Sequence, residues 1–383
     1  MEAWLTNEIR HYVGLEPLKE HWEQAELRKG FWVCFDGEVI RKRISVSNAS
    51  YTEADVEILT RERQFVLPKT ARGKEKKLNY TSVSSYKAEG VTFSTGISER
   101  DSTSYVSAVN NRNSVSLPFS NYKQLKDKDE IVEWLKRLPD IVPGDYERKL
   151  ERLKYMKNQQ YKATPGDIFR VELDLHTDGY VLVIGDLRRM QKDKLFGKES
   201  IWNSVMTMPL FVRPYLYKTT SQSPSMEEII AAPLSEQTWI VMDDRFLRGA
   251  YEYVAHKTLT EDDVLFPMGY GQQARFTGEE QHYELTWGLG TVSKLAAETD
   301  FKSGLQFLNH GVYAGLHSDF FGAPEKRSWS HALDNAVYQV ERGRALAEYG
   351  FPAETSYDEF NSRTGGLTRV QYLDYVARTY GKR

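Results

Sequence analysis

A single cysteine, Cys34, stands among 383 residues. That excludes an intrachain disulfide and a thiolate metal cage, so packing, hydrogen bonds and charge must hold the chain together. Long apolar runs are missing as well, since no stretch approaches the roughly 18 residues that cross a bilayer as a helix. The first ten residues carry Glu2 and Glu8 where an export signal would have a basic start and an apolar centre, so the protein is expected in the cytoplasm. No repeat of fixed period and no low-complexity tract occurs. What remains is the profile of a soluble globular protein, with 27% charged and 40% hydrophobic residues. It excludes a peptide, a collagen-like chain or a coiled-coil rod, and at roughly 150 residues per domain the length suggests two or three domains. Aromatics reach 13%, with 23 tyrosines, which suits β-rich packing or a broad recognition surface.

The net charge of −3 conceals an asymmetry. Residues 1–160 hold 27 Lys+Arg against 24 Asp+Glu, and the rest of the chain holds 24 against 30. The stretch from Met226 to Phe266 accounts for the whole deficit, with nine acids against Arg245, Arg248 and Lys257. Such a cluster is either a solvated face or a surface that steers a basic partner.

Local signals divide the chain into a β-rich module ending in two helices (1–160), a β-rich central domain (161–325) and a helical C-terminal region (326–383), an α+β protein. Phe31–Phe35, the Asp36-Gly37 pair and Val39–Arg41 spell a hairpin, with Cys34 inside a strand as a small buried hydrophobe. Lys69 to Lys77 form a basic loop without interleaved aromatics. The runs Gly90–Ser94 and Ser114–Leu117 read as antiparallel strands. Asp127 and Glu130 form a capping box for a helix that carries Ile131, Trp134, Leu135 and Leu138, and a second helix follows Pro143-Gly144. The central part opens with Gly166–Leu173, turns at Thr177-Asp178-Gly179 and returns as Tyr180–Gly185. Met208–Tyr215 reads as a strand confined by its prolines to an edge or to strand ends. Ser223-Pro224 is expected to open a short helix carrying Met226, Ile229 and Ile230. Trp239–Met242 is a buried strand terminating in Asp243-Asp244, Thr260 caps a single turn, Pro267–Gly271 is a loop, and Tyr283–Gly288 is β-like. Ser330 is expected to cap a helix with Leu333, Val337, Val340 and Leu346 on one face. Thr368 opens a last helix with Val370, Leu373 and Val376 inside, ending at Gly381.

Catalytic and metal-binding patterns are scarce. None of the eight histidines has zinc-pair spacing. His317-Ser318-Asp319 is too compressed to act as a catalytic triad. Gly269-Tyr270-Gly271 and Arg363–Gly366 lack the full pattern of a phosphate loop. Asp243-Asp244, at the end of an apolar strand, is the best acid/base or magnesium candidate; Glu261-Asp262-Asp263 is partly explained by capping. No cofactor, resident metal or catalytic constellation is expected.

Residues 164–287 resemble the Immunity protein 26 family of bacterial polymorphic toxin systems. The resemblance rests on Gly166-Asp167-Ile168-Phe169-Arg170-Val171, then Gly179-Tyr180-Val181-Leu182, then Arg248-Gly249-Ala250-Tyr251-Glu252-Tyr253. Leu259-Thr260-Glu261-Asp262-Asp263 and Phe266-Pro267-Met268-Gly269-Tyr270-Gly271 follow in order. The chain lacks a second glycine–aromatic pair that the family often has after its first strand, and neither residues 1–160 nor the helical tail belongs to the resembling part. The resemblance implies a central antiparallel immunity-like domain in a cytoplasmic, non-catalytic antidote that binds a cognate toxin domain. A basic toxin would be met by an acidic surface; on this reading the contacts are Asp243, Asp244, Glu261, Asp262 and Asp263, with Tyr251 and Tyr270 as aromatic anchors. Membrane and nucleic acid are not expected partners. Two alternatives stay open: a metal-dependent hydrolase using Asp243 and Asp244, and a nucleic-acid adaptor working through residues 69–77.

Overall fold

The computed structural model describes residues 4–65, 69–98, 102–119, 124–198, 200–220, 224–273, 280–302, 312–321, 333 and 336–381. It is an α+β protein that divides into two compact units, one made of residues 1–159 with 174–176, the other of 160–173 with 177–383.

In the first unit, helix α1 (Asn7–Tyr12) precedes strands β1 (Glu23–Arg28), β2 (Phe31–Asp36), β3 (Val39–Val46), β4 (Ser50–Arg61) and β5 (Gln64–Phe65). Helix α2 (Tyr80–Ser84), strands β6 (Val91–Ile97) and β7 (Ser104–Asn110), and helices α3 (Lys128–Lys136), α4 (Leu138–Ile141) and α5 (Tyr146–Tyr155) follow. The strands form one antiparallel sheet in the order β1-β2-β3-β4-β6-β7, with β5 added to β4. The Asp36-Gly37 hairpin forms as its residues demand, with Gly37 at φ +60°, a backbone conformation that suits glycine. Alternation divides the side chains of β2–β4 between two cores: Cys34, Ile44 and Tyr51 meet α1, α3 and α5, while Val33, Phe35, Ile40 and Ala54 meet Val83 of α2. Cys34 is a core residue whose thiol is pushed up to about 11, chiefly by burial. At α3 the Asp127 carboxylate accepts from Glu130 N at 2.9 Å, as expected of the cap. The Ser114–Leu117 run contributes a single bridge, Val109 to Ser116, in place of a full strand.

A charged group is packed into the helix-facing side of this sheet. Lys42 and Glu53, neighbours across β3 and β4, are both fully buried and lie 2.9 Å apart. Arg10 reaches Glu53 from α1 at 3.0 Å, the Tyr51 hydroxyl donates to it at 2.5 Å, and Lys42 also donates to Asp55. Burial alone would raise the Glu53 carboxyl, yet Lys42, Arg10 and the Tyr51 hydroxyl hold it below the usual range.

The second unit contains β8 (Asp167–Glu172), β9 (Asp178–Asp186), α6 (Leu187–Lys192), β10 (Pro209–Thr219), α7 (Met226–Ala231), β11 (Trp239–Met242), α8 (Asp244–Leu247) and β12 (Glu252–His256). Strands β13 (Met268–Gln273), β14 (His282–Trp287) and β15 (Gly290–Leu295) come next, then α9 (Gln339–Glu348), α10 (Tyr357–Thr364) and α11 (Arg369–Tyr380). Five strands pair antiparallel in the order β11-β10-β9-β8-β12, and β13-β14-β15 form a three-stranded sheet. One face of the larger sheet packs Phe169, Val181, Val183, Val212 and Val241 against Phe246, Tyr251 and Phe320. The other face, with Ile168, Leu182, Ile184, Phe211 and Ile240, shares a core with the smaller sheet and α9–α11. The Tyr372 hydroxyl of α11 donates to Ile184 O at 2.6 Å, and Asn361 of α10 donates to Trp287 O at 3.1 Å, so the C-terminal helices are tied to both sheets.

Several local expectations change here. Strand β10 is interior, not an edge: Pro209, which has no N–H to offer, is its first residue, and Pro214 sits where the pairing with β9 loses register. Ser225, not Ser223, caps α7; Ser223 lies outside the described residues. Most of the expected Pro267–Gly271 loop is strand, because Met268–Gly271 pair with Glu284–Trp287. Ser330 lies outside the described residues, and α9 begins only at Gln339. Leu333 and Leu346 are buried as expected, whereas Val337, Val340 and Val370 are exposed. In α11 the buried face belongs to Tyr372 and Tyr375, whose rings fill more core volume than Val370 would.

Candidate functional site

The acidic stretch of the second unit is split by the sheet. Strand β11 is only four residues long, with Asp243 and Asp244 directly after it and Glu236 shortly before it. At its C-terminal end Asp243 N donates to Met208 O at 3.2 Å, which brings the Asp243 carboxylate beside the end of β9. There Asp186 caps α6, accepting from Arg189 N at 3.0 Å, in register with Leu210 of β10. Asp186 and Asp243 line a cleft of about 140 Å³ with apolar walls from Tyr161, Met208, Leu210 and Phe246. Lys162, Arg188, Arg189 and Lys192 complete the lining, and Arg189 is held by Asp193 at 2.6 Å. The Asp243 carboxyl is raised above the usual range, first by burial and then by the charges of Asp186 and Asp244, with Lys162 opposing only weakly. Asp244 turns to Arg248 at 2.7 Å.

Before the other end of β11, the Thr238 hydroxyl donates to Leu265 O, and the buried guanidinium of Arg213 ties the neighbouring segments together. Arg213 donates to Ser235 O at 2.8 and 3.0 Å, to Asp262 O at 2.6 Å and to Asp263 O at 3.0 Å. The turn Glu261–Asp263 is therefore held through its backbone, leaving the Glu261 and Asp262 carboxylates, with neighbouring Glu236, exposed. Arg369 at the start of α11 feels both Glu261 and Asp262, though its pair is Asp358 at 2.6 Å.

Three expected contact residues are part of the core. Asp263 is buried, accepts from Thr260 N at 2.7 Å and pairs with Lys257 at 2.9 Å. Tyr251 is 5% exposed, and its hydroxyl accepts from Leu316 N at 2.7 Å. Tyr270 has no exposed surface and donates to Phe301 O. Neither ring is available as a surface anchor in this conformation. Among the described residues no group of three or more His, Cys, Asp or Glu could hold an ion. Residues 69–77 are an exposed turn in which Lys74 N donates to the Thr70 hydroxyl at 3.0 Å. In His317-Ser318-Asp319 the histidine ring meets Phe320 edge-on, 5.5 Å between ring centroids.

The residues that sequence reasoning missed are those joined across strands. Asp167, 2% exposed, accepts from Thr164 N at 2.8 Å, the Thr164 hydroxyl at 3.0 Å and the Tyr161 hydroxyl at 3.2 Å. Its other oxygen lies 2.8 Å from His256 Nδ1, which pins one end of edge strand β12. Arg170 pins the other end through Glu252. Gly166, at φ +99°, admits this arrangement because a Cβ there would lie 2.5 Å from both the His256 ring and Lys257 O. Asp186 did carry a legible signal, an aspartate closing an apolar strand just before a helix, but its neighbour Asp243 lies 57 residues away in the chain.

Residues 164–278 match the family model described as Immunity protein 26. The matched segment holds all five strands of the larger sheet and the first strand of the smaller one. No curated protein matches the chain, and no solved structure does. Among the described residues no helix is long and apolar enough to cross a membrane.

Proposed function

We propose that this is an immunity protein that binds a cognate toxin domain in the cytoplasm and blocks it without catalysis of its own. The match of residues 164–278 to Immunity protein 26 carries the reading, because that segment supplies the sheet and both acidic groups. The docking surface is the acidic turn beside β11: Glu236, Glu261 and Asp262 are exposed, and the backbone beneath two of them is held by Arg213. A rigid acidic turn loses little freedom on association and attracts a basic surface over about a Debye length. A toxin that acts on nucleic acid must present such a surface to phosphates, so covering it would also block the substrate groove. Asp243 and Asp244, at the far end of β11, stand apart from this contact.

The test is co-expression of the full chain with proteins encoded by neighbouring genes, followed by pull-down at low and high salt. A partner toxin is expected to be retained at low salt, and reversing Glu236, Glu261 and Asp262 to lysine should slow association about tenfold or more. Failure to retain any partner would count against the immunity reading. Retention indifferent to those reversals would remove the acidic surface while leaving that reading intact.

A further inference from the structure

Surface cations of the first unit are treated unevenly. Arg41 pairs with Asp36, Arg63 with Glu23, Lys136 with Glu133 at 2.6 Å and Arg148 with Asp145 at 2.8 Å. Among the described residues Arg28, Lys29, Lys69, Arg72, Lys74 and Lys77 have no such carboxylate, and all six are exposed. The one acid within the 69–77 turn is Glu75, and Glu26, beside the other two cations, accepts from Gly30 N at 2.8 Å. Folding joins these two basic runs, which lie some forty residues apart in the chain. The guanidinium of Arg28, at the end of β1, lies over the ring of Tyr80, 4.2 Å from its centroid, and Phe31 meets that ring edge-on at 4.9 Å. Tyr80 is the first residue of α2, and the Ser82 hydroxyl donates to Lys77 O at 3.0 Å, so the basic turn ends beside the Arg28–Tyr80 stack. Arg43 fixes α2 on the sheet by donating to Val83 O at 3.1 Å and Tyr86 O at 2.7 Å. Within the turn, Thr70 N donates to Lys74 O at 2.8 Å and Gly73 N to Thr70 O at 2.8 Å, which puts Arg72 at the tip.

Unpaired cations gathered in this way attract a polyanion. The turn by itself holds no aromatic; the fold supplies Tyr80, and with it a flat guanidinium backed by a ring. An acidic protein would use the charge alone. A strand of phosphates carrying unstacked bases uses both, its backbone along the cations and a base on the open face of Arg28. We propose that this surface of the first unit binds single-stranded nucleic acid, with phosphates along residues 69–77 and a base stacked on Arg28. The surface lies outside residues 164–278, the segment matched to Immunity protein 26, so it does not depend on the toxin reading.

Fluorescence anisotropy of the full chain with labelled oligo-U and oligo-dT of about a dozen nucleotides tests it, with a duplex of the same length and polyglutamate as comparisons. Saturable binding with a Kd of about 100 μM or tighter is expected at low salt, weakening as salt rises. Arg72→Ala with Lys74→Ala and Lys77→Ala, all at exposed side chains, should weaken it about tenfold or more and lower the slope of log K against log salt by about 2. Arg28→Lys keeps the charge and removes the plane, and should weaken single strands about fivefold or more. Absence of saturable binding, or binding that survives both sets of changes, overturns the proposal. So does a duplex bound as tightly as the single strands, which hides the base faces. Polyglutamate that competes as well as the oligonucleotides also overturns it and assigns the patch to an acidic protein; this comparison and the duplex use the parent chain and hold even where a variant does not fold.

Discussion

Glu53 in the first unit and Asp243 in the second are both carboxylates drawn out of water beside a second carboxylate, yet they are treated oppositely. Glu53 receives Lys42 from the neighbouring strand, Arg10 from α1 and a hydroxyl from Tyr51, and its carboxyl is held below the usual range. Asp243 receives nothing comparable and is raised. Burial acts in the same direction on each, so the supply of cations decides the outcome. The first arrangement serves the fold. The second is left raised at the margin of a cleft, beside Asp186 and Asp244.

The comparison can be broken most forcefully at Lys42. Lys42→Met leaves Asp55 without a cation and Glu53 with Arg10 alone, both among buried atoms. A loss of about 3–5 kcal/mol is expected in urea unfolding followed by tryptophan fluorescence. A loss below about 1 kcal/mol would show that Arg10 suffices, and the contrast with Asp243 would rest on that single partner. Asp167→Asn, in the second unit, should cost about 1–3 kcal/mol, since it removes the charge that holds His256, Thr164 and Tyr161. Faster amide exchange in β12 would locate the damage.

Asp55 sharpens the comparison through pH. Its carboxyl is pushed up to about 6 by burial, which Lys42 only partly offsets, against an ordinary value of 3.8. A group raised in the folded state binds its proton more tightly there, so the folded protein loses stability from this group as pH rises from the ordinary value through about 6. Relative to Asp55→Asn, the natural protein should therefore lose ground between about pH 4 and pH 7. A stability difference that stays flat over that range would contradict the assignment. The smallest effects are expected in the second unit's unpaired acids. Asp243→Asn should shift stability by less than about 0.5 kcal/mol, toward greater stability, because it removes a strained charge. Glu261→Lys with Asp262→Lys should leave unfolding unchanged within about 0.5 kcal/mol while altering toxin association.

Local structure was legible wherever neighbours in sequence supply the cause. The Asp36-Gly37 hairpin, the Asp127 cap and the Thr368 cap each satisfy backbone groups a few residues away. The resemblance over residues 164–287 likewise agrees with the family match over 164–278. Elements went wrong where the partner is remote. Proline in Met208–Tyr215 argues for an edge or for strand ends; Pro209 does open the strand, and Pro214 falls at a register break, so β10 lies inside the sheet and not at its edge. Tyr270 and Tyr251 read as recognition aromatics because nothing local distinguishes a ring that fills a core from one that faces water. Their burial depends on Phe301 and Leu316, which lie 31 and 65 residues away.

Charge shows the same division most plainly. The sequence by itself determined that the acidic surplus lies between Met226 and Phe266, that no disulfide holds the chain, and that no catalytic pattern of familiar spacing is present. Only the tertiary structure decided that these acids face two ways, because β11 separates them and the register of β9, β10 and β11 brings Asp186 to Asp243. Electrostatic interaction falls with distance through space and is indifferent to distance along the chain. A count of acids therefore measures how much charge a segment holds, and folding determines which of those charges meet a cation, water or each other.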